Sequence, residues 1–414
     1  MTVRIEKPAF NLREKLTELD VPVGNSGSQL MRADTVREAF EHIQAGRKNL
    51  IQNGDMRIAQ RATTKDITAG GYHTVDRWEA VGNSNLSFDV TMSRQSHANT
   101  PYMPHRNSVK FLTNTAQNPS GSENFILRQR IEAADFGAIS RWGMDNAQWL
   151  TVSFWVKSNK PGIYSFQAYV GMSGTNADCL QAYTIDSRDV WEYKVLHIPP
   201  VGKNATAWEL YTGHEWGLMV DWHLSDSPDD EIYPHGWSTT SGGAARCVRG
   251  QSNILSAVDN YIEFTGIQIE AGRQATPFEY RTLADEMRMC RRYYTQYGPN
   301  SALGRFPMMG ECTSISVAQY PLQFPVPMRG GTGGVSFTTN GSASDYQIYS
   351  ANQSKPCESI ALAVTMKNAD GSGDIWGVRV NLNRNGTNQN DLTAGRAAQA
   401  YAASTSILGF SREF

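Results

Sequence analysis

The stretch from Trp208 to Trp237 gathers Trp208, Tyr211, His214, Trp216, Trp222, His223, Tyr233, His235 and Trp237 with Asp221, Asp226, Asp229, Asp230 and Glu231. Aromatic faces beside carboxylates suit sugar rings, because the CH face of a pyranose stacks on a π cloud while the acids accept hydroxyl hydrogen bonds. A carbohydrate-binding site is therefore expected here, with Trp216, Trp222 and Trp237 as stacking rings and Asp229 and Asp230 as hydroxyl acceptors. A stacked sugar needs a free ring face, so this expectation requires exposed tryptophans, whereas most tryptophans of a β-sandwich fill its core. The competing account is an ordinary apolar strand pair followed by a solvated acidic loop. The same acids suit calcium, which takes six to eight oxygen ligands, but no D-x-D-x-D-G loop is present, and His214, His223 and His235 match no standard transition-metal spacing. No metal and no cofactor are expected. G-x-S-x-G, H-E-x-x-H and P-loop signatures are all missing, so no catalytic residues are assigned. Cleavage of a polysaccharide by two carboxylates across a groove is the remote alternative, set against it the lack of the long internal repeat that builds β-helices.

The elements that must position such a site are strands. Only 19% of the 414 residues are charged, and Gly, Ser, Thr, Asn and Gln are abundant. Period-two runs such as Thr151-Val152-Ser153-Phe154-Trp155-Val156-Lys157, Ile163-Tyr164-Ser165-Phe166 and Trp191-Glu192-Tyr193-Lys194-Val195 alternate as half-buried strands do, with turn residues between them. Many short strands without intervening helices predict a mainly β fold, a large β-sandwich over residues 49–278. Its last strand, Tyr261 to Glu270, changes phase near Gly266, which predicts a bulge. Leu50–Ile51 also reads as strand, Gly54 as a turn glycine of positive φ, and Asp76-Arg77-Trp78 as an ion pair and an aromatic at a sheet edge. A smaller C-terminal β domain is expected over 299–414, broken in its middle by FPVPMRGGTGG.

Two segments read as helical. In residues 1–48, Leu12, Leu16 and Leu19 recur at helical spacing, and after a Gly/Ser break Val36, Phe40 and Ile43 line a second stripe behind a Thr35–Glu38 capping box. Neither stripe has a core of its own, so the module either packs on the next domain or anchors the subunit to a larger particle. Over residues 279–298, Tyr280, Leu283, Met287, Cys290, Tyr294 and Tyr297 alternate three and four apart, which predicts a heptad helix. Its large seam residues favour a bundle about a threefold axis over a two-stranded coil; a lone helix lying on its own sandwich is the alternative.

Net charge −2 and a pI near 6.5 leave no field to hold a phosphate backbone, so nucleic acid is excluded as an expected partner. No apolar run approaches the ~20 residues of a membrane span and the first residues lack a leader's apolar core, so neither insertion nor export is expected. Five dispersed cysteines without a C-x-x-C pair read as free thiols from a reducing cytoplasm.

Asn49-Leu50-Ile51-Gln52-Asn53-Gly54-Asp55-Met56 followed by Asp76-Arg77-Trp78 resembles the opening of a jelly-roll module found in tail-fibre and other virion proteins of tailed bacteriophages. Ser153-Phe154-Trp155-Val156-Lys157, Trp191-Glu192-Tyr193 and Ile267-Gln268-Ile269-Glu270-Ala271-Gly272 with Ala275-Thr276-Pro277-Phe278-Glu279 resemble its later strands. Cys290-Arg291-Arg292-Tyr293-Tyr294 and Phe324-Pro325-Val326-Pro327-Met328-Arg329 resemble the C-terminal region of those proteins, and Val3-Arg4-Ile5-Glu6-Lys7-Pro8 the N-terminus of appendage proteins of short-tailed, particularly marine, phages. The resemblance implies a trimeric virion fibre with a fold related to carbohydrate-binding modules. It implies no fixed ligand. The expected protein is a non-enzymatic homotrimer, assembled in the host cytoplasm, joined to other virion proteins through residues 1–48 and contributing to host attachment through a surface glycan. A purely structural capsid or tail decoration without a receptor, and a polysaccharide-degrading tailspike, are the alternatives.

Overall fold

In a computed structural model the chain divides into two compact units, Met1–Lys48 and Asn49–Phe414. The structure describes residues 49–413 apart from 83–85, 98–104, 146, 172–176, 202–214, 229–230, 239–246, 299–304, 331–334, 341, 351–352, 368–372, 385–391, 393, 395 and 403–406. Leu12, Leu16, Leu19, Val36, Phe40 and Ile43 thus lie outside the described residues.

Two six-stranded sheets, antiparallel throughout, build the first part of the larger unit. One, the front sheet, runs from edge to edge through Thr64–Ile67, Val90–Ser96, Asn107–Thr113, Tyr261–Ala271, Leu150–Ser158 and Glu192–Ile198. The other, the back sheet, runs through His235–Ser238, Ala177–Ile185, Gly162–Val170, Trp216–Asp226, Asn124–Glu132 and Glu79–Gly82. Alternation along each strand sends one set of side chains inward, as a period of two requires. Phe154 and Phe264 of the front sheet meet Trp222 of the back sheet at ring-centroid distances of 5.7 and 6.4 Å, and Phe111 meets Phe125 at 5.5 Å. The mainly β class and the sandwich are as the alternation predicts. A helix the sequence reading did not include, α1 (Ala133–Ser140), sits between two strands and buries Phe136 against Trp142.

The bulge anticipated near Gly266 is present. The register of Tyr261–Ala271 on Leu150–Ser158 shifts between Thr265 and Gln268, and Gly266 adopts φ +60°. Gly54 has another reason to be glycine than the expected positive φ, which belongs instead to Asn53 (φ 55°). A Cβ on Gly54 would lie 2.1 Å from the Ile267 carbonyl oxygen, so the requirement is close backbone approach. Leu50 and Ile51 are buried but form no strand, and Asp76-Arg77-Trp78 is not at an edge: all three residues are almost fully buried.

Residues 279–298 do not form a heptad helix. Helix α2 spans only Leu283–Arg291, capped by the Thr282 hydroxyl accepting from the Asp285 amide, and Tyr294–Tyr297 is a strand paired with Ile407–Ser411. Tertiary contacts outweigh the seam spacing here. The Tyr293 hydroxyl donates to Glu132 at 2.5 Å, and Arg292 bridges Glu132 and Asp374 at 2.8 and 3.0 Å. As a result the seam residues part company: Tyr280 and Leu283 are 62% and 57% exposed, Met287 and Tyr297 half-buried, Cys290 and Tyr294 buried.

The strand Tyr294–Tyr297 belongs to a three-stranded sheet with Ile407–Ser411 and Ser336–Asn340, beside a seven-stranded sheet whose centre is Ala397–Ala402, Arg305–Cys312 and Val317–Met328. Both contribute to a second core that includes Tyr320, Val378, Val380, Leu408 and Phe410. FPVPM does not interrupt this region. The side chains of Pro321, Pro325 and Pro327 are exposed at alternate positions of the strand Val317–Met328, and the register on Ile375–Asn383 shifts between Gln323 and Met328. All five cysteines are free and buried.

His105 carries a pH dependence. It is buried against Phe278 and Gly266, with Tyr280 Oη 3.2 Å from its Nδ1, and desolvation lowers its pKa from 6.5 to about 4. A depressed histidine pKa means the fold favours the neutral ring, so this contribution is complete above the unfolded pKa and is lost as pH falls from about 6.5 to about 4, at roughly 1.4 kcal/mol per pKa unit. Unfolding titrations across that window should show stability falling with acid in the native protein and a flatter profile for His105→Leu. An equal slope in both would place the acid sensitivity elsewhere.

Candidate functional site

The tryptophan cluster read from the sequence does not form one exposed platform. Alternation along Trp216–Asp226 turns Leu218, Val220, Trp222 and Leu224 into the sandwich, and Trp222 is 0% exposed, its ring centre 5.0 Å from that of Phe166 and 5.7 Å from that of Trp78. It has no free face to offer a sugar. Trp216 is half-buried. Trp237 is half-buried too, packed edge-on against Trp142 at 5.1 Å and donating its indole N–H to the Pro199 carbonyl at 2.7 Å. Asp229 and Asp230, with Trp208, Tyr211 and His214, lie outside the described residues.

Asp221 and Asp226 of that segment are committed internally. Asp221 takes a bidentate pair of bonds from Arg128 at 2.7 and 2.6 Å. Asp226 holds His223 Nδ1 at 2.9 Å, while His223 Nε2 meets Gln167 at 3.2 Å and Gln167 donates to Asp178 at 2.7 Å. Burial pushes the His223 pKa down, but the Asp226 and Asp221 charges prevail and raise it. Such a fully satisfied buried network specifies the packing of the back sheet rather than offering a ligand site.

An accessible aromatic face lies instead on the outside of the front sheet. Leu150, Val152, Phe154 and Val156 point into the core, so Thr151, Ser153, Trp155 and Lys157 point out. Register then builds cross-strand rows. Trp155 stands opposite Tyr193 on one side and Thr265 on the other, and the Trp155 and Tyr193 rings are 5.2 Å apart, tilted by 45°. Tyr193 is 43% exposed and its strand neighbours Val195 and His197 on the same face are exposed as well. In the next row Lys157 stands opposite Glu263, which stands opposite Lys110.

Polar groups flank these rings. Glu263 accepts from Ser108 at 3.0 Å and pairs with Lys157 at 3.2 Å and with His97 at 3.6 Å. Lys157 Nζ lies 5.1 Å from the Trp191 ring centre, and Lys110 Nζ lies 4.2 Å from that of Tyr261. The Tyr261 hydroxyl donates to Asp189 at 2.6 Å. Desolvation, helped by that bond, raises the Tyr261 pKa, and the same bond lowers that of Asp189. Desolvation likewise lowers the His97 pKa against the pull of Glu263. Tyr193 is exposed while Trp155, Trp191 and Tyr261 are half-buried like Trp216 and Trp237, so what this face offers a sugar is the Tyr193 ring with the edge of Trp155 and the Lys157 ammonium beside it. Among the described residues no group of three or more His, Cys, Asp or Glu stands where it could hold a metal ion.

This face was within reach of the sequence. Both strands were recognised there, and with Phe154 and Val156 inward the parity of Trp155 follows. The pairing of Trp155 with Tyr193 did not, since 37 intervening residues separate them and only register joins them.

No family model matches the chain, and no curated protein matches it. Among solved structures it is similar to the enzymatically active domain of tailspike protein 4 of bacteriophage CBA120, at 10% identity and a TM-score of 0.30, over 54% of this chain and 21% of that one. A family 11 carbohydrate-binding module from Clostridium thermocellum, in complex with a β-1,3-1,4-mixed-linked tetrasaccharide, matches at 10% identity and a TM-score of 0.26, over 51% of this chain and 98% of that one. A xylan-binding domain from Paenibacillus barcinonensis matches at 8% identity and a TM-score of 0.24, over 56% and 100%. At these TM-scores the functional argument rests on this chain's own residues.

Proposed function

We propose that this chain is a non-enzymatic, glycan-binding subunit of a bacteriophage appendage that contributes to attachment at the host surface. The observation that carries the binding part is the outward row of Trp155 and Tyr193, beside Lys157 and Glu263, on a sheet whose other face is committed to the core. The appendage part is supported by the sequence resemblance. Stacking on a ring of this size contributes about 1–3 kcal/mol, so Trp155→Ala and Tyr193→Ala should each weaken binding to host cells or to the best ligand on a glycan array by roughly 10–100-fold. Tyr193 is exposed and Trp155 half-buried, so thermal stability should change less than for a core tryptophan such as Trp222. Undiminished binding by both folded variants removes the platform and leaves a purely structural place in the particle.

Assembly as a homotrimer, joined to other virion proteins through residues 1–48, is part of the same proposal. With a short helix in place of a heptad seam, the exposed Tyr280 and Leu283 are the surface that supports self-association. Light scattering of the full chain at micromolar concentration should give the mass of a trimer, reduced by Leu283→Asp. A monomeric mass for the unmodified chain would remove the trimer from the proposal. If trimeric, three weak sites engage one surface together and gain by avidity.

A further inference from the structure

Where the sandwich meets the three-stranded sheet, a cavity of about 490 Å³ opens, remote in sequence and register from the Trp155 face. Its size falls in the range of small-molecule sites. Among the described residues the wall contains two cations, Arg61 and Lys65, and no carboxylate. Arg61 is already engaged: its guanidinium lies 3.7 Å from the centre of the Tyr294 ring and pairs with Glu413 at 3.3 Å. Lys65, exposed on the strand Thr64–Ile67, makes no ion pair among the described residues. It is the charge available to an anion.

The remaining polar groups ask for hydroxyls. Tyr72 lines the cavity, and its buried hydroxyl has no hydrogen-bond partner among the described residues, a state that normally calls for a ligand or water. His73 Nε2 lies 3.0 Å from the Ala69 carbonyl, which can only accept, so Nε2 carries the proton and Nδ1 of the neutral ring is an acceptor. Burial, with Lys65 and Arg61 nearby, lowers the His73 pKa and favours that neutral ring. Thr338 and Thr339, successive residues of the strand Ser336–Asn340, also line the cavity. One available ammonium among several neutral donors and acceptors fits a singly charged polyol better than a compact phosphate, which is bound where several cationic or amide donors converge.

We propose that this cavity binds a carboxylate-bearing sugar, a hexuronic acid, with Lys65 pairing to the carboxylate and Tyr72, His73, Thr338 and Thr339 meeting the ring hydroxyls. The site shares no residue with the aromatic face and stands whether or not that face binds glycan.

Calorimetric titration of the full chain with glucuronate and galacturonate, beside glucose and inorganic phosphate, tests it. At least one uronate should bind saturably and at least tenfold more tightly than glucose or phosphate. Lys65→Gln should weaken that binding at least tenfold, and Tyr72→Phe should weaken it while leaving thermal stability unchanged or higher, because the lost hydroxyl has no partner in the fold. Trp155→Ala should leave it intact. Absence of uronate binding, phosphate or glucose binding as tight as uronate, or full binding by folded Lys65→Gln each overturns the proposal.

Discussion

Replacing Arg77 with methionine is expected to lower the unfolding free energy by about 3–5 kcal/mol, the usual consequence of removing one partner of a buried ion pair. Arg77 is 1% exposed. Its Nε donates to Gln52 Oε1 at 2.9 Å, Nη2 to the Arg130 carbonyl at 2.6 Å and Nη1 to Glu413 at 2.5 Å, while the guanidinium plane lies 3.4 Å from the Tyr293 ring centre. Methionine fills much of the volume but makes none of these bonds, leaving a buried carboxylate whose remaining ion-pair partner among the described residues is Arg61. Glu413→Gln in the same background should recover part of the loss, because the unpaired charge is then gone. Urea unfolding of both single variants and the double variant gives the coupling. A loss below ~1 kcal/mol for Arg77→Met would mean that the cluster is not holding the C-terminal residues to the sandwich.

Trp222→Ala should cost about 3–5 kcal/mol, as large-to-small changes at fully buried aromatics do. Its ring touches Trp78, Phe154, Phe166 and Phe264, so the cavity left has rigid walls from both sheets. Glycan binding per folded molecule should be unchanged. Trp155→Ala should show the reverse, with a smaller loss of stability and binding weakened. Measuring melting temperature and binding on the same two preparations separates the segment that looked like a sugar site in the sequence from the face that geometry supports. Lost binding in a folded Trp222 variant would return the site to the Trp216–Asp226 strand.

Much of the sandwich is local in origin and was legible for that reason. Thr151–Lys157 alternates because neighbouring side chains on a strand face opposite ways, and that pattern survives whatever the strand pairs with. The phase change at Gly266 was visible for the same reason. Aromatic and acidic composition around Trp208–Trp237 was equally visible, but composition carries no parity by itself. Once Leu218 and Val220 face inward, Trp222 must follow them, and its candidacy ends there. The spacing from Tyr280 to Tyr297 fits a heptad as well as any true one, yet the helix stops at Arg291. Nothing local to those residues announces Glu132, Asp374 or the strand Ile407–Ser411, which take up Arg292, Tyr293 and Tyr294.

By itself, then, the sequence determined the β class, the inward and outward sets of individual strands, the glycine bulge and the unpaired character of the cysteines, all properties of short stretches of chain. Tertiary structure alone decided which outward aromatics stand side by side, which cations are already spent on buried carboxylates and where a cavity remains. Those depend on register and on contacts between residues far apart in the chain, such as Arg77 with Glu413 and Trp155 with Tyr193, whose closeness exists only after the sheets have paired.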